Sequence, residues 1–242
     1  MVRDQAEARA LYQQTNEADT ARSLRATLAQ QHGFLGDGSF QYGSLCTYDG
    51  HNRPTPGLRY QVGLHLLEAQ DPVNPDSTHL WPVGSLRGFD LGDSDNAGEV
   101  AWRRFRTRLI KDSSSVSRRD FVEVLTALDA GPLVLAWVYS AAATPASDGR
   151  YPLVATLVAG PGLAGAEPLY PLELSQASVL RLFADRADDV RTFATAQHLD
   201  YTHPTDIARM ADYYNRIAAV QWHPASSIVK KPAQRESHFG AE

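Results

Sequence analysis

The residues with the most evident chemistry in this sequence are arginines concentrated between positions 103 and 119. The six are Arg103, Arg104, Arg106, Arg108, Arg118 and Arg119. Guanidinium groups bind phosphate and carboxylate groups through paired hydrogen bonds, and the free amides at a helix start add to phosphate binding. One interpretation is therefore that these arginines bind nucleic acid or a phosphate-bearing ligand.

The overall charge favours a second interpretation of the same arginines. The chain has 23 Lys and Arg against 28 Asp and Glu, a formal net charge of -5. Proteins that coat nucleic acid are usually basic, because phosphate neutralisation supplies most of their affinity. An arginine-rich face can instead pair with acidic protein surface, such as the turn 90–99 that precedes it. The sequence thus favours protein electrostatics, with nucleic acid as the disfavoured alternative.

Residues 160–165 (Gly-Pro-Gly-Leu-Ala-Gly) have the letters of a dinucleotide-binding fingerprint and follow a predicted strand. That fingerprint needs a helix to begin at its third glycine, so that the helix amides hold the pyrophosphate. Pro168 and Pro171 stand where this helix would run. We therefore expect a glycine-rich loop and no cofactor.

The carboxylates, histidines and cysteine match no known metal or hydrolase pattern. A calcium loop that begins at Asp93 would need its bidentate glutamate where Arg104 stands. The histidines lack the helical spacing of zinc proteases, Cys46 is the only cysteine, and no Gly-x-Ser-x-Gly elbow occurs. The sequence therefore predicts no metal. An enzyme would have to assemble its site from dispersed side chains of residues 51–95, namely His51, His65, His79, Asp90 and Asp93.

Because the sequence completes none of these cofactor, metal or hydrolase motifs, the leading hypothesis is a non-enzymatic protein-interaction or assembly component. The first alternative is binding of nucleic acid or a phosphate ligand by arginines 103–119, and the second is an enzyme with a site dispersed over residues 51–95. The tail 225–242 contains few large apolar residues, so we expect it to order only against a partner. Self-association through Ile228, Val229 and Phe239 is therefore predicted.

The composition is that of a globular protein, with 43% hydrophobic and 21% charged residues. We predict a single domain over residues 1–224, with 175–220 as a possible helical subdomain and 225–242 as a tail. No apolar run reaches the roughly 18 residues of a membrane span. The absence of an apolar leader and the single cysteine favour a cytoplasmic location.

The first half of the chain predicts one long helix followed by short strands. Residues 4–31 contain neither Gly nor Pro and predict a long N-terminal helix. Residues 33–98 hold most of the glycines and predict short strands, the best over 59–67 and weaker ones over 39–47 and 79–89.

Between these strands and the next ones, the sequence favours two helices. Residues 99–111 fit either a helix, with Trp102, Phe105 and Leu109 on one face, or an alternating strand. We favour the helix, because a strand would place three arginines on the same face as Trp102. Ser117 is interpreted as the cap of a second helix, with Asp120 as the reciprocal acid of the capping box.

The second half predicts a strand hairpin and then helices. The apolar runs 132–141 and 152–159 predict two central strands joined as an antiparallel hairpin and covered by helices. Helices are predicted over 175–185, 188–198 and 205–220. The predicted fold class is therefore α+β: a small, mostly antiparallel sheet from the central region, a long N-terminal helix and a C-terminal helical layer.

Overall fold

The computed structural model describes residues 33–74, 76–92, 102–112, 116–129, 131–142, 144, 146–147, 151–162 and 167–221. The predicted N-terminal helix, residues 93–99 of the acidic turn, and the tail 225–242 with Ile228, Val229 and Phe239 lie outside these ranges.

The described chain is built around one antiparallel sheet of ten strands. Hydrogen bonding orders the strands β10-β9-β8-β7-β6-β5-β1-β2-β3-β4. Two meanders, β1 to β4 and β5 to β10, therefore lie side by side and join where β5 pairs with β1. The strands are β1 (Gln41–Cys46), β2 (Asn52–Gln61), β3 (Leu66–Gln70), β4 (Thr78–Pro82), β5 (Gly88–Leu91), β6 (Arg103–Lys111), β7 (Ser117–Val124), β8 (Val134–Ala141), β9 (Leu153–Gly160) and β10 (Tyr170–Pro171).

Strands β6 to β10 close into a small barrel. Leu169, just before β10, forms a parallel bridge with Ile110 of β6. The Lys111 N–H donates to the Leu169 carbonyl (2.9 Å), and the Leu169 N–H donates to the Leu109 carbonyl (2.8 Å). These bonds connect the last strand of the second meander back to its second strand. The interior is filled by small and branched apolar side chains, as is usual for narrow barrels: Ile110, Val122, Val124, Val134, Ala136, Val138, Val158 and Leu169.

The opposite face of β6 and β7 belongs to a second core, enclosed by the curled strands β1 to β5. Phe89 and Phe105 stack with ring centroids 4.5 Å apart. Phe121 meets Phe89 edge-on at 5.1 Å, and Tyr60 meets Phe121 edge-on at 5.6 Å. Gly88 allows β5 to approach β6 this closely, because a Cβ there would lie 2.1 Å from the Phe105 carbonyl oxygen. Alternate residues of β6 and β7 therefore serve two separate cores.

On the N-terminal side of Val122, β7 is no longer paired with β8, and the turn between β2 and β3 lies beside this gap. The two strands pair only over residues 122–124 and 136–138. The turn residues 62–65 are all buried, although buried turns are rare because their backbone polar groups need partners. The His65 N–H donates to the Val62 carbonyl, and the His65 carbonyl accepts from the Val83 N–H (both 3.2 Å).

Three short helices and one 3-10 turn follow the sheet and cover one side of the barrel. They are α1 (Gln176–Arg181), the 3-10 turn Ala184–Arg186, α2 (Ala187–Ala196) and α3 (Pro204–Gln221). The Ser175 side chain caps α1 by accepting from the Ser178 N–H, as the sequence predicts. The helices pack on outward-facing residues of β8 and β9, including Leu135 and Leu157. Among the described helices, none has the length and apolar character needed to span a membrane.

The predicted fold class is wrong, because the sheet dominates and is not small. The predicted helix over 99–111 is also wrong, since Arg103–Lys111 forms β6. The helix predicted to start at Ser117 is wrong as well, because Ser117–Val124 forms β7. Each strand has buried residues on both faces, so its apolar residues do not alternate simply and resemble a helical period.

The strand predictions are more accurate than these helix predictions, above all where the apolar runs are continuous. The hairpin of 132–141 and 152–159 is confirmed as β8 and β9, and the strand over 39–47 is confirmed as β1. The strand over 59–67 is wrong in extent, because it covers the end of β2, the buried turn and the start of β3. The strand over 79–89 likewise spans β4, a connection and the start of β5. Buried turns lack the polar residues that mark turns in a sequence.

The Leu135→Ala variant is expected to lose about 2–5 kcal/mol of unfolding free energy, because it leaves a cavity between β8 and the helices. Leu135 is fully buried there. Urea denaturation followed by circular dichroism measures the change. Leu128→Ala, at a position 59% exposed, is the matched control and should change stability by less than about 0.5 kcal/mol. Equal stability of the Leu135 variant and wild type would contradict the central position of β8.

Candidate functional site around the arginines of strand β6

Strand β6 places four of the six predicted arginines on two opposite faces of the sheet. Arg103 shares its face with Phe105 of the aromatic core, whereas Arg104, Arg106 and Arg108 share theirs with Ile110 of the barrel, since side chains alternate along a strand. The structure therefore does not gather the six arginines on one surface.

Arg103 forms the most regular ion pair of the group. Its guanidinium donates two hydrogen bonds of 2.7 Å to the Glu123 carboxylate of β7 and one of 3.1 Å to the Tyr139 hydroxyl. The Tyr139 hydroxyl in turn donates to Glu123. Burial, followed by the adjacent Glu123 carboxylate, raises the pKa of Tyr139 well above its ordinary value. This triad connects β6, β7 and β8 and leaves the guanidinium committed to protein groups.

Arg106 is shared between two carboxylates. It donates to Asp90 of β5 at 2.6 Å and to Asp129 in the connection between β7 and β8. Burial raises the pKa of Asp129, but the hydrogen bond and charge of Arg106 outweigh it and leave that pKa below its ordinary value. The buried Cys46 thiol lies 3.8 Å from Asp90, and burial raises its pKa. A raised pKa keeps the thiol protonated, which is the unreactive form.

Arg104 holds the connection that follows β7. It donates to the carbonyls of Thr126 and Ala127 (2.8 Å for Ala127), and its guanidinium lies 5.1 Å from the Trp102 ring centroid. The Ala127 N–H donates to Asp212 of α3 at 2.7 Å. This arginine and α3 therefore fix the same loop from two sides.

Arg108 is the most buried of the six, with only 5% of its surface exposed. Its two terminal nitrogens donate to the carbonyls of Gly162 (3.2 Å) and Pro161 (2.5 Å), just after β9. Burial lowers the pKa of Arg108. The glycine-rich segment and the arginine stretch, which the sequence presents as separate features, thus meet at this end of the barrel.

Arg118 and Arg119 lie on β7 and differ in their surroundings. Arg118 donates to the fully buried Asp120 at 3.4 Å, whereas Arg119 is exposed. Asp120 also accepts from the Tyr60 hydroxyl (3.2 Å) and faces His65 Nδ1 (2.9 Å).

The Asp120 carboxylate fills the gap that opens where β8 leaves β7. It accepts the N–H of Phe121 at 2.9 Å, a group that would face a β8 carbonyl if the two strands stayed paired. His65 reaches this carboxylate from a left-handed backbone conformation (φ 53°), which is costly for a residue other than glycine. Burial and the Asp120 charge raise the pKa of Tyr60 well above its ordinary value. The geometry indicates a structural lock between the turn 62–65 and β7.

The dispersed histidines and aspartates of residues 51–95 do not converge where they are described. His79 pairs with Asp71 on the surface (3.0 Å), Asp90 pairs with Arg106, and His65 pairs with Asp120. Hydrogen bonds from His79 and two backbone amides lower the pKa of Asp71 to about 2. Across the described part of the chain, no three His, Cys, Asp or Glu side chains are grouped as metal ligands.

Sequence reasoning missed the acids that engage these arginines. Glu123, Asp120 and Asp129 follow β6 within one strand-turn-strand unit. A hairpin reading of residues 103–124 would have placed Glu123 opposite Phe105 and next to Arg103. The helix interpretation of both segments concealed this signal. Ligand binding by the six arginines stays a prediction.

Comparisons with known proteins add no family to this geometry. No family model, no curated protein and no solved structure matches the chain.

Proposed function

We propose that this protein is a non-enzymatic interaction component that binds an extended segment of a partner protein at the open edge of β9. What supports an interaction role is that the groups with catalytic potential are engaged with each other in the described structure: Arg103 with Glu123, Arg106 with Asp90, and His65 with Asp120. The observation that carries the proposal is the edge itself.

Among the described residues, no strand pairs with the outward side of the first half of β9. Strand β10 pairs only with Val158 and Ala159, and the Leu172 N–H donates to the Leu157 carbonyl. Because the Ala142 N–H donates to the Pro152 carbonyl, even-numbered residues of β9 face β8 and odd-numbered residues face away. Leu153 and Ala155 therefore present their N–H and carbonyl groups outward, and no residue in the described ranges pairs with them.

This edge lacks the protection that natural proteins usually provide. Val154 is 46% exposed, and Ala155 and Thr156 are also exposed. Proteins block such edges with lysine, proline or a bulge, and Leu153 to Leu157 contain none of these. Exposed Tyr170 and Leu174 lie on the segment that runs beside β9. An extended peptide with apolar side chains fits these features, since strand addition uses main-chain bonds for affinity and side-chain contacts for specificity.

Replacing Ala155 by proline is expected to weaken peptide binding by about tenfold, because it removes one outward N–H, worth about 1–1.5 kcal/mol. Proline is tolerated at an edge position whose N–H faces solvent, so the pairing with β8 is retained. Peptides selected from a random display library on the wild-type protein supply the ligand, and calorimetry measures their affinity for each variant.

Ala155→Val is the matched control, since it keeps the N–H and should bind the same peptides with nearly unchanged affinity. Hydrogen exchange provides a second measurement: the bound peptide should slow exchange at the amides of Leu153 and Ala155. Peptides that bind the proline variant as tightly as wild type, or that protect only other strands, would contradict the proposal.

A further inference from the structure

Arg108 is a buried cation without a carboxylate partner. Only 5% of its surface is exposed. Within the part of the chain that the structure describes, no carboxylate lies within ion-pair distance of it. The charge of Asp129 acts on Arg108, but Asp129 is bound to Arg106. Asp120 lies opposite Arg108 in the register of β6 and β7, but it accepts from Tyr60 and Arg118. Burial of a charge is costly unless an opposite charge and hydrogen bonds compensate it.

The guanidinium also has unused hydrogen-bonding capacity. An arginine side chain has five N–H donors, and the two carbonyls of Pro161 and Gly162 each accept one of them. The Nε of Arg108 is buried and donates to no group of the described residues. Nε–H together with the neighbouring terminal N–H forms the fork that matches two oxygens of a phosphate or carboxylate.

Two glycine-containing loops lie at the end of the barrel where Arg108 donates its hydrogen bonds. A Cβ at Gly162 would lie 2.2 Å from the Gly131 carbonyl oxygen, so the two loops at this end of the barrel meet in close contact. Asn215 of α3 holds the first of these loops, accepting from the Leu133 N–H and donating to the Leu133 carbonyl, both at 2.8 Å. The two loops are therefore closely packed, and α3 fixes their position.

From the unpaired charge and the unused Nε–H, we infer that Arg108 is the cation of a small oxyanion site at the end of the β6 to β10 barrel, which binds a phosphate group. A phosphate supplies the missing negative charge and accepts the free fork of N–H donors. Arg103, Arg106 and Arg118 contribute nothing to it, because protein carboxylates already accept their hydrogen bonds.

The site is tested by calorimetric titration of the full chain with inorganic phosphate at constant ionic strength. Arg108→Gln is expected to weaken phosphate binding by roughly 10- to 100-fold, the loss of a charge-assisted pair of bonds. Arg119→Gln makes the same charge change at an exposed position of β7 and should leave binding unchanged. Phenyl phosphate as a second titrant separates a free phosphate ion from a phosphate monoester, and acetate should bind more weakly than either.

A second measurement keeps the inference testable if the Arg108→Gln variant does not fold. In nitrogen-15 NMR spectra of the wild type, the Arg108 Nε–H signal should shift on addition of phosphate, while the Arg119 signal should not. Equal phosphate affinity of wild type and Arg108→Gln, or an Nε–H signal that is unmoved at millimolar phosphate, would overturn the inference. The site is independent of the β9 edge, so Ala155→Pro should bind phosphate like wild type.

Discussion

Replacement of Phe121 by alanine is expected to lower the free energy of unfolding by about 3–5 kcal/mol, the largest loss we expect from a single apolar side chain. Phe121 is fully buried on the aromatic face of β7. Its ring contacts Phe89 and Tyr60 edge-on at 5.1 and 5.6 Å, so truncation removes two aromatic contacts as well as buried area. The curled strands around it are hydrogen-bonded neighbours, and they can only partly close the cavity.

Chemical denaturation of the purified variant measures this loss. Tyr48→Ala is the matched control, because it truncates an aromatic ring that is 60% exposed and should change stability by less than about 0.5 kcal/mol. Phe121→Leu should fall between the two, since it keeps part of the buried volume. A Phe121→Ala variant that unfolds at the same denaturant concentration as wild type would show that β1 to β5 do not enclose one core with β6 and β7.

Asp120→Ala is expected to destabilise the protein by about 3–5 kcal/mol, because it removes the acceptor of a buried polar network and leaves its donors without a partner. The carboxylate accepts from Tyr60, from Arg118 and from the Phe121 N–H, and it faces His65. Tyr60, His65 and Phe121 are buried, so water cannot readily replace the carboxylate as their partner. The loss should appear as local opening as well, because the network holds the turn 62–65 beside the gap between β7 and β8.

Asp120→Asn separates charge from shape. It retains one oxygen acceptor but turns an NH₂ group towards donors, so an intermediate loss of stability is expected. Asp185→Asn, on a side chain that is 81% exposed, provides the charge control and should be nearly neutral. Hydrogen exchange should become faster at the amides of His65 and Phe121 in the Asp120 variants. Wild-type stability of both Asp120 variants would contradict the lock.

The C-terminal helices and the β8–β9 hairpin follow from local sequence signals. The Ser175 cap, Pro204 at the first position of α3, and the continuous apolar runs of 132–141 and 152–159 each act within a few residues. Such signals do not depend on distant partners, because capping and continuous burial act on neighbouring residues. The C-terminal helices and the hairpin can therefore be predicted without knowledge of the fold.

Strands β6 and β7 show why the larger part of the sheet could not be predicted from the sequence. One face of each strand packs into the barrel and the other packs into the aromatic core. Phe121 and Val122 are therefore both fully buried although their side chains point in opposite directions. An alternating pattern appears only when one face meets water. When both faces are buried, the alternating pattern is lost. The arginines of β6 and β7 then resemble the polar face of a basic helix if their acidic partners are not known.

Helix caps and continuous apolar runs are sufficient to predict the helices after residue 175 and the hairpin of β8 and β9. The role of each arginine depends on long-range contacts instead. The partners Glu123, Asp90 and Asp120 come to Arg103, Arg106 and Arg118 from neighbouring or bent strands, and the register that places them depends on how the whole sheet curls. Within the described ranges, the same curvature leaves Arg108 without an ion-paired acid and the outward side of Leu153 and Ala155 without a backbone partner. Those two properties belong to the arrangement of ten strands, and no local stretch of residues encodes either of them.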